Sequence, residues 1–148
     1  MKPNKPTILV VDDEATLRVI FADQLSGQYR CVTAANALDA LQTIEANVFE
    51  LDMLVTDIVM PGQLNGLHLA NKVREKQPDV AILLITGYAQ SAVMKEAQAL
   101  GYRVLEKPFR LATLHAAIEE ELAKRPDQQD GQDSSVVSIE RARQKRDH

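Results

Sequence analysis

The sequence predicts an α/β fold in which a five-stranded parallel sheet carries helices on both faces. Short apolar runs, typical of strands buried on both faces, alternate five times with segments whose apolar residues recur at helical spacing. With 148 residues, 45% of them hydrophobic and 26% charged, the chain can form one ordinary domain with a core. Right-handed crossovers between five strand-helix units favour the doubly wound strand order 2-1-3-4-5.

Each strand and helix is predicted from its own local pattern. The predicted strands cover residues 8–11, 30–34, 53–57, 80–85 and 102–105. The predicted helices cover residues 14–25, 36–44, 67–76, 90–100 and 111–123. Asn36 with Asp39 three residues later is typical of a helix N-cap. Pro78 follows the end of the third helix, and Gly101 stands where a helix C-terminus commonly turns.

Segments of different composition flank and interrupt this pattern. Residues 1–6 form a polar extension, and Pro-Gly and Asn-Gly pairs mark residues 60–66 as a loop. Residues 126–135 consist mainly of Gln, Asp, Gly and Ser, which predicts a flexible linker. The tail up to residue 148 is either solvated and disordered or includes a short helix that binds a partner or an anion. The predicted domain therefore spans residues 7–125.

Charge and composition exclude several functional classes. A net charge of −4 does not favour general binding to nucleic acid, whose phosphates attract basic surfaces. The single cysteine, Cys31, forms no internal disulfide and fits a strand as a small hydrophobic residue. No segment resembles a signal peptide or approaches the roughly 20 apolar residues of a membrane span. We expect a cytoplasmic protein that binds neither DNA nor a membrane directly.

Polar side chains follow the apolar runs at the carboxyl ends of the strands, where ligands bind in doubly wound sheets. Asp12 and Asp13 follow the first strand, Asp57 the third, Thr86 the fourth and Lys107 the fifth. Asp12 and Asp13 alone are more typical of a helix N-cap. Next to Asp57 they form a carboxylate cluster, whose repulsion a cation relieves. Hard carboxylate oxygens suit Mg²⁺, which keeps several waters and so favours a phosphate-bearing partner.

These residues are the parts needed to transfer a phosphoryl group to an aspartate. Asp57 is a nucleophile that needs no base, because a carboxylate is already ionised at neutral pH. Lys107 and a cation neutralise charge on the phosphoryl oxygens, and Thr86 offers a hydroxyl. Each residue also has a plain structural interpretation: Lys107 as a solubilising surface charge, and Thr86 as a strand residue that caps the turn at Gly87.

Four segments in this order resemble response regulator receiver domains over residues 7–123. They are Ile8-Leu9-Val10-Val11-Asp12-Asp13-Glu14, Thr56-Asp57-Ile58-Val59-Met60-Pro61-Gly62, Leu83-Leu84-Ile85-Thr86-Gly87-Tyr88 and Leu105-Glu106-Lys107-Pro108-Phe109. The resemblance implies the flavodoxin-like fold of CheY-like proteins. It also implies a regulatory phosphoacceptor rather than an enzyme, one that catalyses only its own phosphorylation and dephosphorylation.

The resemblance assigns a role to each candidate site residue. It implies Asp57 as the phosphoacceptor, Asp12 and Asp13 as ligands of Mg²⁺ beside it, and the main-chain carbonyl of Val59 as a further ligand. Thr86 and Lys107 are implied as contacts to the phosphoryl group, and the Lys107–Pro108 peptide bond as cis. Val59 and Tyr88 are expected to flank the route of the hydrolytic water.

The sequence departs from the commonest receivers in two ways. The loop between Asp57 and Gly66 is one residue longer, as in receivers that accompany hybrid sensor kinases. The switch position three residues before the lysine is often aromatic in the family and is Val104 here. Tyr102 lies two residues earlier on the same face of the strand. We therefore expect a muted or different rearrangement of Thr86 and Val104, with Tyr102 as a candidate participant.

The implied partners are a sensor histidine kinase or a phosphotransfer protein, and an unknown downstream protein. Only 23 residues follow position 125, too few for a separate output domain, which favours output by protein contact. The implied surface consists of the fourth helix, fifth strand and fifth helix, which also allows a homodimer. The start at Met1 and the charged tail favour a complete single-domain protein.

Four alternatives stay open from the sequence. The first is that the chain acts as a phosphate relay or sink, and the second is that it is the receiver fragment of a hybrid histidine kinase. A third alternative is a receiver that works only as a constitutive binding module, which the intact set of acids, Thr86 and Lys107 disfavours. The last is a flavodoxin-like cofactor binder, which is disfavoured because acids replace the phosphate-binding loop after the first strand.

Overall fold

The computed structural model describes residues 5–46, 50–60, 64–87 and 91–125. The strands of this part of the chain are β1 (Thr7–Val11), β2 (Arg30–Ala34), β3 (Met53–Asp57), β4 (Ala81–Thr86) and β5 (Arg103–Glu106). Its helices are α1 (Ala15–Leu25), α2 (Ala37–Ala46), α3 (Gly66–Lys76), α4 (Ala92–Ala99) and α5 (Leu111–Ala123). The strands are parallel and lie in the order β2-β1-β3-β4-β5, which confirms the predicted fold.

Several sequence predictions concern residues outside the described part. These are the start of the N-terminal extension, the Pro-Gly part of the loop after β3, Tyr88, the predicted start of the fourth helix at Gln90, and the tail at residues 126–148. They stay predictions.

Most element boundaries agree with the sequence patterns to within two residues. Asn36 begins the second helix as predicted, because its side-chain oxygen accepts the Asp39 amide at 2.8 Å. Gly101 has a φ of 93°, the left-handed conformation expected after a helix. The prediction that the fifth strand begins at Tyr102 is wrong by one residue. The Tyr102 amide instead donates to the Ala97 carbonyl at 3.1 Å, which ties it to the end of α4.

The core consists of two apolar layers, one on each face of the sheet. Leu9, Leu54 and Leu84 pack towards α2, α3 and α4. Residues one position away, such as Val10 and Val55, pack towards α1 and α5. Every residue of β1, β3 and β4 is buried, as expected for central strands covered on both faces. In the described part of the chain, no helix has the length and apolar character needed to cross a membrane.

A clamp at the amino-terminal rim of the sheet fixes the end of α5. The Arg125 guanidinium lies 2.7 Å from an Asp52 carboxylate oxygen and donates to the Asp79 carbonyl at 2.9 Å. The second Asp52 oxygen accepts the Thr7 amide at 2.8 Å, so one carboxylate holds both α5 and β1. The sequence patterns did not predict this contact, because Asp52 and Arg125 are far apart in the chain.

The central position of β3 predicts a large cost for truncating its side chains. Leu54 is 0% exposed, so Leu54→Ala should lower the free energy of unfolding by about 2–5 kcal/mol in a urea titration. Leu38 on α2 is 61% exposed, and Leu38→Ala, the matched control, should change it by less than about 0.5 kcal/mol. Equal effects of the two substitutions would contradict the described core.

Candidate metal and phosphoacceptor site

Three carboxylates meet at the carboxyl-terminal rim of the sheet. Asp12 and Asp13 directly follow β1, and Asp57 ends the neighbouring strand β3. One carboxylate oxygen from each lies within 4.8 Å of the others. Asp12 is only 2% exposed and Asp57 7%, whereas Asp13 is exposed to solvent. The predicted convergence of these side chains is therefore present in the structure.

Lys107 supplies the positive charge of this cluster. Its ammonium nitrogen donates to an Asp57 oxygen at 3.1 Å and lies 4.0 Å from an Asp12 oxygen. The Lys107 amide donates to the Thr86 carbonyl at 2.8 Å, which holds the start of this side chain against β4. The Lys107–Pro108 peptide bond is cis, as the resemblance implied.

The electrostatics of the site follow from burying two carboxylates beside one amine. Burial raises the pKa of Asp57, and the charge of Asp12 acts in the same direction, while Lys107 and the Val59 amide act against them. Burial alone lowers the pKa of Lys107, but the hydrogen bond to Asp57 and the charges of Asp57, Asp12 and Glu14 outweigh it and raise the pKa. Lys107 is therefore charged at neutral pH, and the cluster still carries excess negative charge.

The donor set fits Mg²⁺. Two of the three carboxylates are buried, so their repulsion is weakly screened and favours a divalent cation. Asp13 stands on the solvent side, which suits an ion that keeps several water ligands. Asp12, Asp13 and Asp57 are the residues that would hold it. Val59 lies beside Asp57 with a half-exposed side chain, and the role of its carbonyl as a ligand stays a prediction.

Thr86 lies at the same rim. It is 1% exposed at the end of β4, and the strand register pairs Asp57 with the preceding residue, Ile85. Gly87 follows it next to the Lys107 side chain: a Cβ at this position would lie 3.9 Å from the Lys107 Cδ. β4 thus brings the predicted hydroxyl to the strand end next to Asp57.

The predicted switch residues lie on one face of the sheet but contact different neighbours. Val104 is half-buried on β5 and packs against the layer beneath α2, α3 and α4. Tyr102 belongs to the same layer, but its hydroxyl donates to the Asn71 side chain on α3 at 2.6 Å. The shared face is confirmed, while the part either residue plays in a switch stays a prediction.

Sequence reasoning missed the importance of Gly66. A Cβ at this position would lie 2.1 Å from the Asp57 carbonyl oxygen, a distance that no side chain tolerates. The Gly66 amide also donates to the Ile58 carbonyl at 2.8 Å, so α3 begins directly against the backbone of Asp57 and Ile58. Asn65 caps this helix by accepting the His68 amide at 2.9 Å, and His68 accepts the Asn65 amide in return. The Asn-Gly pair predicted only a turn.

A second missed residue, Arg18, supports the acidic end of β1. Its guanidinium donates to the Asp12 carbonyl at 2.7 Å. Asp12 also accepts the Glu14 amide at 2.9 Å through its side chain. The N-cap of α1 is Glu14, whose side chain makes no capping hydrogen bond. The Asp12-Asp13 pair is therefore not an ordinary helix cap, which favours its interpretation as part of the metal cluster.

Gly66 can be tested against a second glycine. Gly66→Ala should lower the free energy of unfolding by about 1–3 kcal/mol, because the new methyl group overlaps the Asp57 backbone. Gly27 has no atom within 4 Å of an added Cβ, so Gly27→Ala should be neutral or stabilising by up to about 1 kcal/mol. Both free energies would be measured by urea titration. Equal stability of the two variants would refute the close contact between Gly66 and the Asp57 backbone.

Known proteins share both the sequence pattern and the fold. The chain matches the response regulator receiver domain over residues 8–119. It is 34% identical over 121 residues to the sensor kinase CckA of Brucella abortus, a match that covers 80% of this chain but 13% of CckA. It is also 34% identical over 117 residues to the receiver protein CpdR of the same organism, covering 78% of this chain and 95% of CpdR.

Solved structures agree with these sequence matches. The response regulator TrrA of Thermotoga maritima, determined in complex with Mg²⁺ and BeF, is 30% identical with a TM-score of 0.67. The match covers 78% of this chain and 97% of TrrA. A receiver domain from Clostridium thermocellum is 26% identical with a TM-score of 0.73, over 80% of this chain and 95% of that one. This chain belongs to the response regulator receiver family.

Proposed function

We propose that Asp57 accepts a phosphoryl group from the phosphohistidine of a sensor kinase or phosphotransfer protein, with Mg²⁺ held by Asp12, Asp13 and Asp57. The observation that carries this proposal is the meeting of three carboxylates within 4.8 Å, with Lys107 3.1 Å from Asp57. TrrA, a relative with this fold, was determined with Mg²⁺ and a fluoride of beryllium. Its ligands support the proposed cofactor here.

In the proposed reaction, an Asp57 carboxylate oxygen attacks phosphorus in line with the bond to the donor imidazole. The new O–P bond forms as the P–N bond breaks, and the electron pair leaves with the imidazole nitrogen. Asp57 needs no proton acceptor, because it attacks as the carboxylate. The chemistry that a bound Mg²⁺ supplies is neutralisation of charge on the phosphoryl oxygens.

Lys107 and Thr86 then respond to the new group. The acyl phosphate carries roughly −1.5 to −2 charges and three acceptor oxygens. Lys107, which already reaches Asp57, has only to shift its ammonium group from a carboxylate oxygen to a phosphoryl oxygen. Thr86, buried at the neighbouring strand end, is the proposed hydroxyl donor to the same group. These two contacts are the proposed start of the conformational response.

We propose that output passes through the face formed by α4, β5 and α5. A groove of about 780 Å³ lies there, and its lining includes the apolar residues Met94, Val104 and Phe109 and the charged residues Glu106 and Arg110. β5 is at the edge of the sheet, so a partner has access to it. A downstream protein is the proposed occupant, and a homodimer through this face is the alternative.

A second candidate function is that of a relay or a receiver unit of a hybrid kinase. It is favoured by the match to CckA, which is a sensor kinase and is much longer than this chain. The match to CpdR, which this chain spans almost completely, favours a separate receiver protein instead. In both cases the chemistry at Asp57 is the same. The cytoplasmic location and the absence of any other catalytic activity stay predictions.

Phosphorylation can be tested with a small donor. Acetyl phosphate with Mg²⁺ should add one phosphoryl group to the wild-type protein, measured by mass spectrometry of the intact chain. Asp57→Asn should abolish labelling, because it removes the nucleophilic carboxylate. Asp23→Asn, which makes the same chemical change at an exposed position on α1, should label like the wild type. Equal labelling of Asp57→Asn would remove Asp57 from its proposed role.

Metal binding can be tested without phosphorylation. Asp12→Asn should weaken Mg²⁺ binding by at least about tenfold, because it removes one of the two buried charges of the cluster. The affinity is read from amide shifts of residues 57–59 during a MgCl₂ titration. Asp39→Asn on α2 is the control for the loss of one acidic charge and should bind Mg²⁺ like the wild type. Unchanged affinity of Asp12→Asn would exclude the proposed ligand set.

A further inference from the structure

One buried aromatic side chain ties the junction between α4 and β5 to α3. Tyr102 is 5% exposed, and its hydroxyl donates to the Asn71 side-chain oxygen at 2.6 Å. The central carbon of the Arg74 guanidinium lies over the same ring, 4.3 Å from its centroid. Asn71 and Arg74 are three residues apart and therefore share one face of α3. We refer to Asn71, Arg74 and Tyr102 as the Tyr102 cluster.

Backbone hydrogen bonds attach the end of α4 to this cluster. The amides of Leu100, Gly101 and Tyr102 donate to carbonyls in the last turn of α4, at 3.0–3.2 Å. Gly101, with a φ of 93°, turns the chain directly from the helix to Tyr102. The last turn of α4 therefore has little freedom to move independently of α3.

The other end of α4 is held differently. Its N-cap is Ser91, whose hydroxyl oxygen accepts the Met94 amide at 3.1 Å, so this end is capped by its own neighbouring residue. Only Met94 and Ala97 of this helix are buried, and Ala97, on the C-terminal side, is the one with no exposure. The N-cap Ser91 also follows Thr86 in the chain by only five residues. The two ends of α4 thus have different attachments.

The Tyr102 hydroxyl keeps its proton and can therefore donate the hydrogen bond to Asn71 at neutral pH. Burial raises its pKa, although the charge of Arg74 acts in the opposite direction, so it stays protonated at neutral pH. If Tyr102 moved away from Asn71, its hydroxyl would be left without this hydrogen-bond acceptor inside the protein, which is energetically unfavourable. This disfavours separation of Tyr102 from α3. Tyr102 is also the aromatic residue of the described core layer beneath α2, α3 and α4, where Val104 occupies the usual aromatic position.

We propose that the Tyr102 cluster is a fixed pivot about which α4 moves when Asp57 is phosphorylated. The start of α4 follows the displacement of Thr86, while its C-terminal end stays on α3. α3 is a suitable base, because Gly66 seats its first residue directly against Asp57 and Ile58. Tyr102 is thus a positioning residue of the response. The proposed movement of the start of α4 depends on the proposed function, whereas the attachment of α4 to α3 does not.

The attachment is tested by hydrogen exchange on the full chain without phosphorylation. Tyr102→Phe removes only the hydroxyl and should speed exchange of the Leu100, Gly101 and Tyr102 amides about two- to tenfold, the range that one net hydrogen bond supports. Asn71→Ala should have a similar effect, and the double variant should add little, because both remove one contact. Tyr29→Phe, at a tyrosine buried in the opposite layer, is the matched control and should leave these amides unchanged.

The pivot is tested by amide shifts on adding Mg²⁺ and beryllium fluoride as a phosphoryl mimic. In the wild type, shifts should be larger at residues 91–94 than at residues 97–101. Tyr102→Phe should extend large shifts to residues 97–101, and Tyr29→Phe should not.

Each contrary result has a separate meaning. Unchanged exchange in Tyr102→Phe overturns the attachment and with it the pivot. If exchange is faster in Tyr102→Phe but beryllium fluoride shifts the amides at both ends of α4 equally in the wild type, the attachment stands and only the pivot is overturned. If the mimic shifts no amide at residues 57–59, the proposed function fails together with the moving end, while the exchange result still decides the attachment.

Discussion

The feature on which the rest of the site depends is an excess of acidic side chains over basic ones at one rim of the sheet. Asp12 and Asp57 are buried next to each other, Asp13 stands beside them, and Lys107 supplies one positive charge. Such a cluster is energetically unfavourable unless a cation neutralises part of its charge. The fold bears this cost because β1 and β3 are fixed by side chains buried on both faces. A well-packed core thus holds together acids that would otherwise separate.

The two rims of the sheet have different physical characters. At the carboxyl-terminal rim, the polar groups are brought together by strands that end there, and they carry net charge. At the amino-terminal rim, Arg125 and Asp52 neutralise each other and join α5, β1 and the segment before β4. α3 connects the two, since it starts on the Asp57 backbone and reaches the Tyr102 hydroxyl through Asn71. A conformational change at Asp57 would therefore act on a domain whose opposite rim is fixed by the contacts of Arg125 and Asp52.

Membership of the receiver family accounts for the shared fold but not for every contact. The three acids, Thr86 and Lys107 lie at one rim of the sheet, as the sequence predicted. Val104 has less bulk than the aromatic residue that is common at this position, and the aromatic ring of the same core layer belongs to Tyr102, which is hydrogen-bonded to α3. The Tyr102 hydroxyl attaches the junction between α4 and β5 to α3.

The sequence by itself determined the strand order, the rim at which the site lies and most of its residues. Those features depend on local periodicity and on the rule that parallel strands bring their carboxyl ends together. The tertiary structure alone decided the role of Gly66, the support of Asp12 by Arg18, the Arg125 clamp and the partner of Tyr102. These contacts join residues whose separation in the chain carries no signal, or depend on distances of a few tenths of an ångström. Packing sets such distances, and a pattern of residue types does not contain them.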